Sequence, residues 1–310
     1  AGTLISRRGR ISLIFWIPST GLFILRAGRK RAQTDCAGEN MRITVLTDNI
    51  GRDGLTGEWG LSFYIEYHGR KLILDAGQSG IFAENADKLG LSLADVDYAV
   101  LSHAHYDHAD GMSVFLDRNS RAKLWLQESC RENCYRVKEG RMKYIGIRKG
   151  MLEKYRDRLV CVRGDQELDE GIRLIAHHTP GLEKAGRREK MFLKQDDGWM
   201  TDCFAHEQSL VLECGDGIVI LNSCSHGGAD NIIREVSAEY PGRRVLAMIG
   251  GFHLHNKDDD YIRAFAEKLR QTGVEQIYTG HCTGDNGYRI LSRELGGTVH
   301  QLCVGLEMEF

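Results

Sequence analysis

One run constrains this chain more than any other: Leu101-Ser102-His103-Ala104-His105-Tyr106-Asp107-His108-Ala109-Asp110-Gly111. It follows residues 98–102 (YAVLS), a short apolar strand, and sets four metal-capable side chains within six positions as H-x-H-x-D-H. His103 and His105 lie two apart at a strand end, so their rings can face the same side. Asp107 and His108 follow in the turn. Imidazoles with a carboxylate suit zinc, iron or manganese, and ligand type does not choose among them. A chain carrying this run needs a fold that ends a buried strand in a metal-binding loop.

The rest of the pattern is strand-rich from Met41 onward. Residues 42–48 (RITVLTD) alternate, and a glycine-rich loop follows over 51–60. Residues 61–67 and 70–75 read as a hairpin turned at His68-Gly69, and 209–214 and 217–223 as a second, turned at Gly215-Asp216. Helical periodicity covers 80–89, 229–239, 258–271 and 288–295. Further strands fall at 122–127, 172–177, 244–249, 276–279 and 298–304. Residues 128–171 are charged and broken by Gly140, Gly146, Gly150 and Gly164, and read as an irregular insertion over the core. Hairpins in both halves argue against a purely parallel sheet. Two mostly antiparallel sheets packed face to face, with helices outside, fit the order of elements.

The histidine run, preceded some thirty residues earlier by Leu72-Ile73-Leu74-Asp75-Ala76-Gly77, resembles the metallo-β-lactamase superfamily. Ser223-Cys224-Ser225-His226-Gly227-Gly228, Gly250-Gly251-Phe252-His253-Leu254 and Gly280-His281-Cys282-Thr283-Gly284 resemble its dihydropterin (ribofuranosylaminobenzene phosphate) synthase-like branch. The resemblance covers residues 41–310. It implies an α+β fold, a four-layer αββα sandwich with one or two metals at one edge of its sheets. It assigns His103 and His105 to a first metal, and Asp107 and His108 to a second together with His281. Asp107 is the expected catalytic residue, and Asp75 stands behind the ligands as their anchor. Enzymes of the wider superfamily carry a bridging Asp after the later hairpin. Here residues 219–224 (VILNSC) offer none, and His226, on the strand face of Cys224, is expected to take its place. His206 and His253 are candidate ligands or substrate-binding residues. His177-His178-Thr179-Pro180-Gly181 reads as loop structure. Asp110 either steadies a ligand histidine or caps the following helix.

The implied activity is that of a metal-dependent hydrolase. A hydroxide bound to two divalent ions, zinc with iron or manganese as alternatives, attacks a phosphoester, ester or lactone. The expected substrate is a small, phosphorylated or pterin-like metabolite. The alternative is a metal-containing effector that binds a metabolite with little turnover. The basic residues Arg131, Arg136, Lys138, Arg141, Lys143, Arg148 and Lys149 either roof the site and attract an anion or form a solvated face.

Charge divides the chain unevenly. Residues 1–40 hold seven Lys/Arg against Asp35 and Glu39, a net +5, which leaves residues 41–310 at −7. An acidic domain without an added nucleic-acid module argues against a nuclease. Residues 11–25 form an apolar run flanked by arginines, too short for a bilayer-spanning helix of about 20 residues. Residues 1–40 are expected to be an extension outside the domain, with a membrane-directing segment as the rival reading. The domain is expected to span 41–310, without a membrane partner. Nine scattered cysteines, none in C-x-x-C spacing, suggest a cytoplasmic protein, and most are expected to be buried small hydrophobes.

Overall fold

The computed structural model describes residues 41–310, so the expectations for residues 1–40 lie outside the described residues. Two seven-stranded sheets form its centre. The first runs, edge to edge, Glu307–Glu309, Arg42–Thr47, Ser62–Tyr67, Arg70–Leu74, Tyr98–Val100, Lys123–Gln127 and Leu159–Val162. The second runs Val299–Gln301, Gln276–Thr279, Arg244–Gly250, Gly217–Leu221, Gln208–Cys214, Ile172–Ala176 and Gln166–Asp169.

The expectation of mostly antiparallel sheets needs correction. In each sheet the first hairpin partners pair antiparallel, and every later step from Arg70–Leu74 or Gly217–Leu221 outward is parallel. A parallel step needs a crossover connection. Helices such as Ile81–Leu89, Ala229–Glu239 and Asp259–Arg270 supply them. A further strand, Glu307–Glu309, closes the edge beside Arg42–Thr47, where the sequence pattern ended at residue 304.

Local chemistry explains the elements. His68 and Gly69 both take positive φ, 47° and 74°, which the two-residue hairpin turn requires. Helix Ile81–Leu89 stops at Gly90, whose left-handed conformation lets its N–H reach the carbonyls of Ala86 and Asp87. Helix Asp259–Arg270 buries Ile262, Phe265, Ala266 and Leu269, and the Asp258 side chain caps it by accepting the Tyr261 N–H.

These faces make three apolar clusters, which define four layers, αββα. Val45, Leu72, Leu74, Val219, Leu221 and Ile249 pack between the sheets. Phe82, Ala86, Met112 and Phe115 join helices to the outer face of the first sheet. Ile232, Val236, Ile262 and Ile290 do the same on the second. No helix of the described residues is long and apolar enough to cross a membrane.

The insertion is more ordered than its composition suggests. Cys134–Lys138 and Arg141–Tyr144 form a hairpin that pairs with Met191–Gln195 and Gly198–Thr201 as a separate four-stranded sheet. Charged side chains on one face hid the alternation that normally betrays a half-buried strand.

Candidate metal centre

The carboxyl ends of the central strands converge on one edge of the sandwich, where open α/β sheets place their ligands. Arg70–Leu74 delivers Asp75, Tyr98–Val100 leads into the histidine run, Gly217–Leu221 leads to Cys224 and His226, Arg244–Gly250 to His253, and Gln276–Thr279 to His281. The sheets are pinned together here, because the Gln208 N–H donates to the Ser102 carbonyl at 2.9 Å. Gly251 allows the close approach: a Cβ there would lie 2.5 Å from Cys282 Sγ. Asp75, Ser225, His253 and His281 all adopt left-handed backbone, φ between 47° and 58°. Non-glycine residues in that region cost about 1–3 kcal/mol each and cluster at functional sites.

Hydrogen bonds fix which nitrogen each ring turns inward. Asp75 is fully buried. Its Oδ1 accepts the Ser102 N–H at 2.7 Å, and its Oδ2 accepts the Ser102 hydroxyl at 2.6 Å. With its proton so committed, Ser102 Oγ accepts from His103 Nδ1 at 2.8 Å. His108 Nδ1 donates directly to Asp75 Oδ2 at 2.9 Å. Asn49 Oδ1 faces His281 Nδ1 at 3.3 Å, held there by the bond from its own Nδ2 to the His281 carbonyl at 3.0 Å. Three rings thus hold their protons on Nδ1 and turn a lone pair on Nε2 toward the centre, the arrangement that orients metal-binding histidines.

Those inward atoms group into two sets. His103, His105 and His226 place ligand nitrogens within 4.8 Å of one another, and Asp107, His108 and His281 form a second set on the same criterion. Cys224 joins His103 and His108 in a third grouping, its Sγ 3.3 Å from His108 Nε2. The Nε2 atoms of His103, His105, His226 and His281 are buried without any hydrogen-bond partner. Each such orphan costs about 1–3 kcal/mol. Divalent cations held by the two sets would satisfy all four, so the donor set fits the metals that the resemblance implies.

Electrostatics agree with that fit at four of the histidines, while at His108 burial is outweighed by the carboxylates of Asp107 and Asp75, which raise the pKa. Burial pushes His105 down to about 3 and His281 down to about 4, so both are neutral donors at neutral pH. Burial and the neighbouring imidazoles lower His103 and His226 as well. Burial opposes a charged Asp107, but His108, His281 and His105 together outweigh it and hold the carboxyl below its usual range. The Trp59 indole N–H donates to Asp107 Oδ2 at 2.7 Å.

The structure redistributes several expected roles. His226 groups with His103 and His105, while Cys224, two residues earlier, groups with both His103 and His108. His206 is buried beside the centre with both nitrogens engaged: Nδ1 accepts the Ala104 N–H at 3.2 Å, and Nε2 lies 3.2 Å from Asp202 Oδ2. His206 also groups with His105, Cys134 and Asp202. His253 lies 3.4 Å from Glu189 Oε2. Burial opposes its charge, yet Cys282 and Glu189 push its pKa up to about 9. Asp110 neither caps the next helix nor touches a ligand histidine; its Oδ1 accepts the Arg148 N–H. His177 bonds Glu235, Ser209 and Asn222 as a structural hub, in keeping with its reading as loop structure.

Sequence reasoning missed Trp59, Asn49, Ser102, Cys224 and Cys282. Both cysteines are buried, as expected of most cysteines here, and their sulfurs lie 3.5 Å apart at the centre. A cavity of about 200 Å³ opens over the centre, lined by Trp59, Asp107, His253, His281 and the basic residues Arg136, Lys138 and Lys143. A second cavity of similar volume shares His226 and His253 with it and carries Lys184, Lys257 and Lys268.

A family model described as the metallo-β-lactamase superfamily matches residues 56–184. The 7,8-dihydropterin-6-methyl-4-(beta-D-ribofuranosyl)-aminobenzene-5'-phosphate synthase of Methanocaldococcus jannaschii is 24% identical over 291 residues, 88% of this chain and 97% of its own. An exodeoxyribonuclease of Streptococcus pneumoniae is 26% identical over 274 residues, 82% of this chain and 90% of its own. Among solved structures, a metal-dependent hydrolase of the β-lactamase superfamily superposes with a TM-score of 0.75 at 28% identity, covering 87% of this chain and 99% of that one.

Proposed function

We propose that this chain, a hydrolase of the metallo-β-lactamase superfamily, acts on a phosphoester, ester or lactone of a small metabolite with two divalent ions held by its histidine cluster. The observation that carries this reading is the set of buried, partnerless Nε2 atoms on His103, His105, His226 and His281. Zinc is the proposed metal, with iron or manganese as alternatives. We assign His103, His105 and His226 to one ion, and Asp107, His108, His281 and Cys224 to the other. Bound there, the ions would supply Lewis acidity and the means to deprotonate water near neutral pH.

The chain's own residues do the rest. Asp75 and Ser102 fix the rings of His103 and His108. Trp59 holds the Asp107 carboxylate in one orientation by its indole N–H. His253, 3.4 Å from Glu189 Oε2, lines the cavity and is placed to bind an anion or give a proton to a leaving oxygen. A phosphorylated or pterin-like metabolite is the proposed substrate, by likeness to the synthase relative. Eight described cysteines, none in a disulfide, support a cytoplasmic setting.

The test is metal analysis of protein purified without added metal, followed by a phosphoester and lactone panel on the same sample. Near two equivalents of metal with turnover is the expected result. Metal content near zero with no activity after reconstitution would overturn the proposal. Tight metabolite binding without conversion would favour the effector reading, to which the cysteine in place of a bridging carboxylate lends support.

A further inference from the structure

The hairpin Cys134–Lys138 and Arg141–Tyr144 has a charge pattern that the metal centre does not explain. Its register sets Arg136 opposite Lys143 and Lys138 opposite Arg141. Side chains alternate faces along a strand, so all four cations share one face. Like charges directly opposite each other in a sheet are destabilising. Nothing in the fold offsets them, because none of the four makes a side-chain hydrogen bond or ion pair among the described residues. A register slip of one residue would turn the charges outward. The other face prevents it: Tyr135 contacts Tyr144 and Trp199, with ring centroids 5.0 and 4.9 Å apart. Three of the cations, Arg136, Lys138 and Lys143, line the cavity that also exposes Asp107 and His281.

We infer that this cationic face binds a second anionic group of the substrate, which is a small molecule bearing at least two anions, one phosphoryl group at the histidine cluster and another on the hairpin. The inference rests on the hydrolase reading above and narrows its substrate class. Phosphate is the anion that guanidinium and ammonium groups bind most directly, through charge-assisted hydrogen bonds. A cavity of about 200 Å³ suits a small polyanion.

The test uses the metal-free full chain, so that pyrophosphate meets protein groups alone. Calorimetric titration with inorganic pyrophosphate compares wild type, R136A/K143A and K184A/K268A, the last removing two cations from the second cavity. R136A/K143A should weaken binding by about tenfold or more, and K184A/K268A by less than about twofold. Orthophosphate should bind wild type more weakly than pyrophosphate. Equal losses in the two variants, or no binding to wild type below about 10 mM, would overturn the inference. A single-stranded oligonucleotide that binds more tightly than pyrophosphate would also overturn it, by moving the substrate to another class. The hydrolase reading fails separately: a metal-loaded enzyme that cleaves nothing, alongside hairpin-dependent pyrophosphate binding, sinks that reading and supports the anion site.

Discussion

Asp75 does more for the centre than its distance from the substrate cavity suggests. One carboxylate accepts three hydrogen bonds and thereby sets the inward lone pair on both His103 and His108. Asp75→Asn would put a donor where an acceptor is needed, and metal affinity should fall about 10- to 100-fold with secondary structure unchanged; equilibrium dialysis against the metal measures it. His103→Ala or Asp107→Asn should remove turnover by about 10³-fold or more while the far-UV spectrum is retained. Full activity in either variant would refute their roles. Cys224→Ser tests the sulfur: cobalt-loaded wild type should show a thiolate-to-cobalt absorption band that the variant lacks. The His103–His108 run was legible because its donors are contiguous in the chain. Trp59, Asn49 and Cys224 were not, because each meets its partner in the centre (Asp107, His281 and His108) only after folding, from 48, 232 and 116 residues away.

Elements with a conventional pattern were read within a few residues of their observed bounds. The hairpins turned at His68-Gly69 and Gly215-Asp216, and the helix Asp259–Arg270, follow directly from their periodicity. The strands of the four-stranded sheet escaped, since they are short and the hairpin Cys134–Lys138 and Arg141–Tyr144 is dominated by Arg and Lys, which read as a solvated loop. The parallel half of each sheet escaped because strand direction is decided by the crossovers and not by the strand's own composition. The cap of Asp259–Arg270 offers a control remote from the chemistry. Asp258→Ala should cost about 1 kcal/mol in denaturant unfolding and leave kcat/KM unchanged. At the other extreme, Gly251→Ala places a methyl against Cys282 Sγ and should lower metal content, because the strands Gly217–Leu221 and Arg244–Gly250 could no longer converge at the site.

Across the whole molecule, most of the apolar burial lies away from the metal centre. The three cores lie between and outside the sheets, and the donors lie beyond the strand ends, Asp107 and His108 on the short helix Tyr106–Ala109, where only the edge of one core, Leu101, Ala104 and Ala109, reaches them. Removing metal with a chelator should therefore lower the thermal midpoint by the lost binding energy and leave the far-UV spectrum in place below it. Unfolding at room temperature on chelation would show that the centre, and not the sandwich, holds the fold. The four-stranded sheet adds a different kind of independence. It is built from two stretches that meet each other, residues 134–144 and 191–201, and the four cations of its hairpin are none of the metal-capable donors, although Cys134 at the start of that hairpin groups with His105, Asp202 and His206. Substitutions of those four cations can drift without touching the donors, whereas the backbone just beyond the hairpin is bonded to the histidine run, the Ile145 carbonyl accepting the Tyr106 N–H. A lineage carrying this scaffold can thus acquire a new substrate by rewriting a handful of exposed codons, and inherit its chemistry intact.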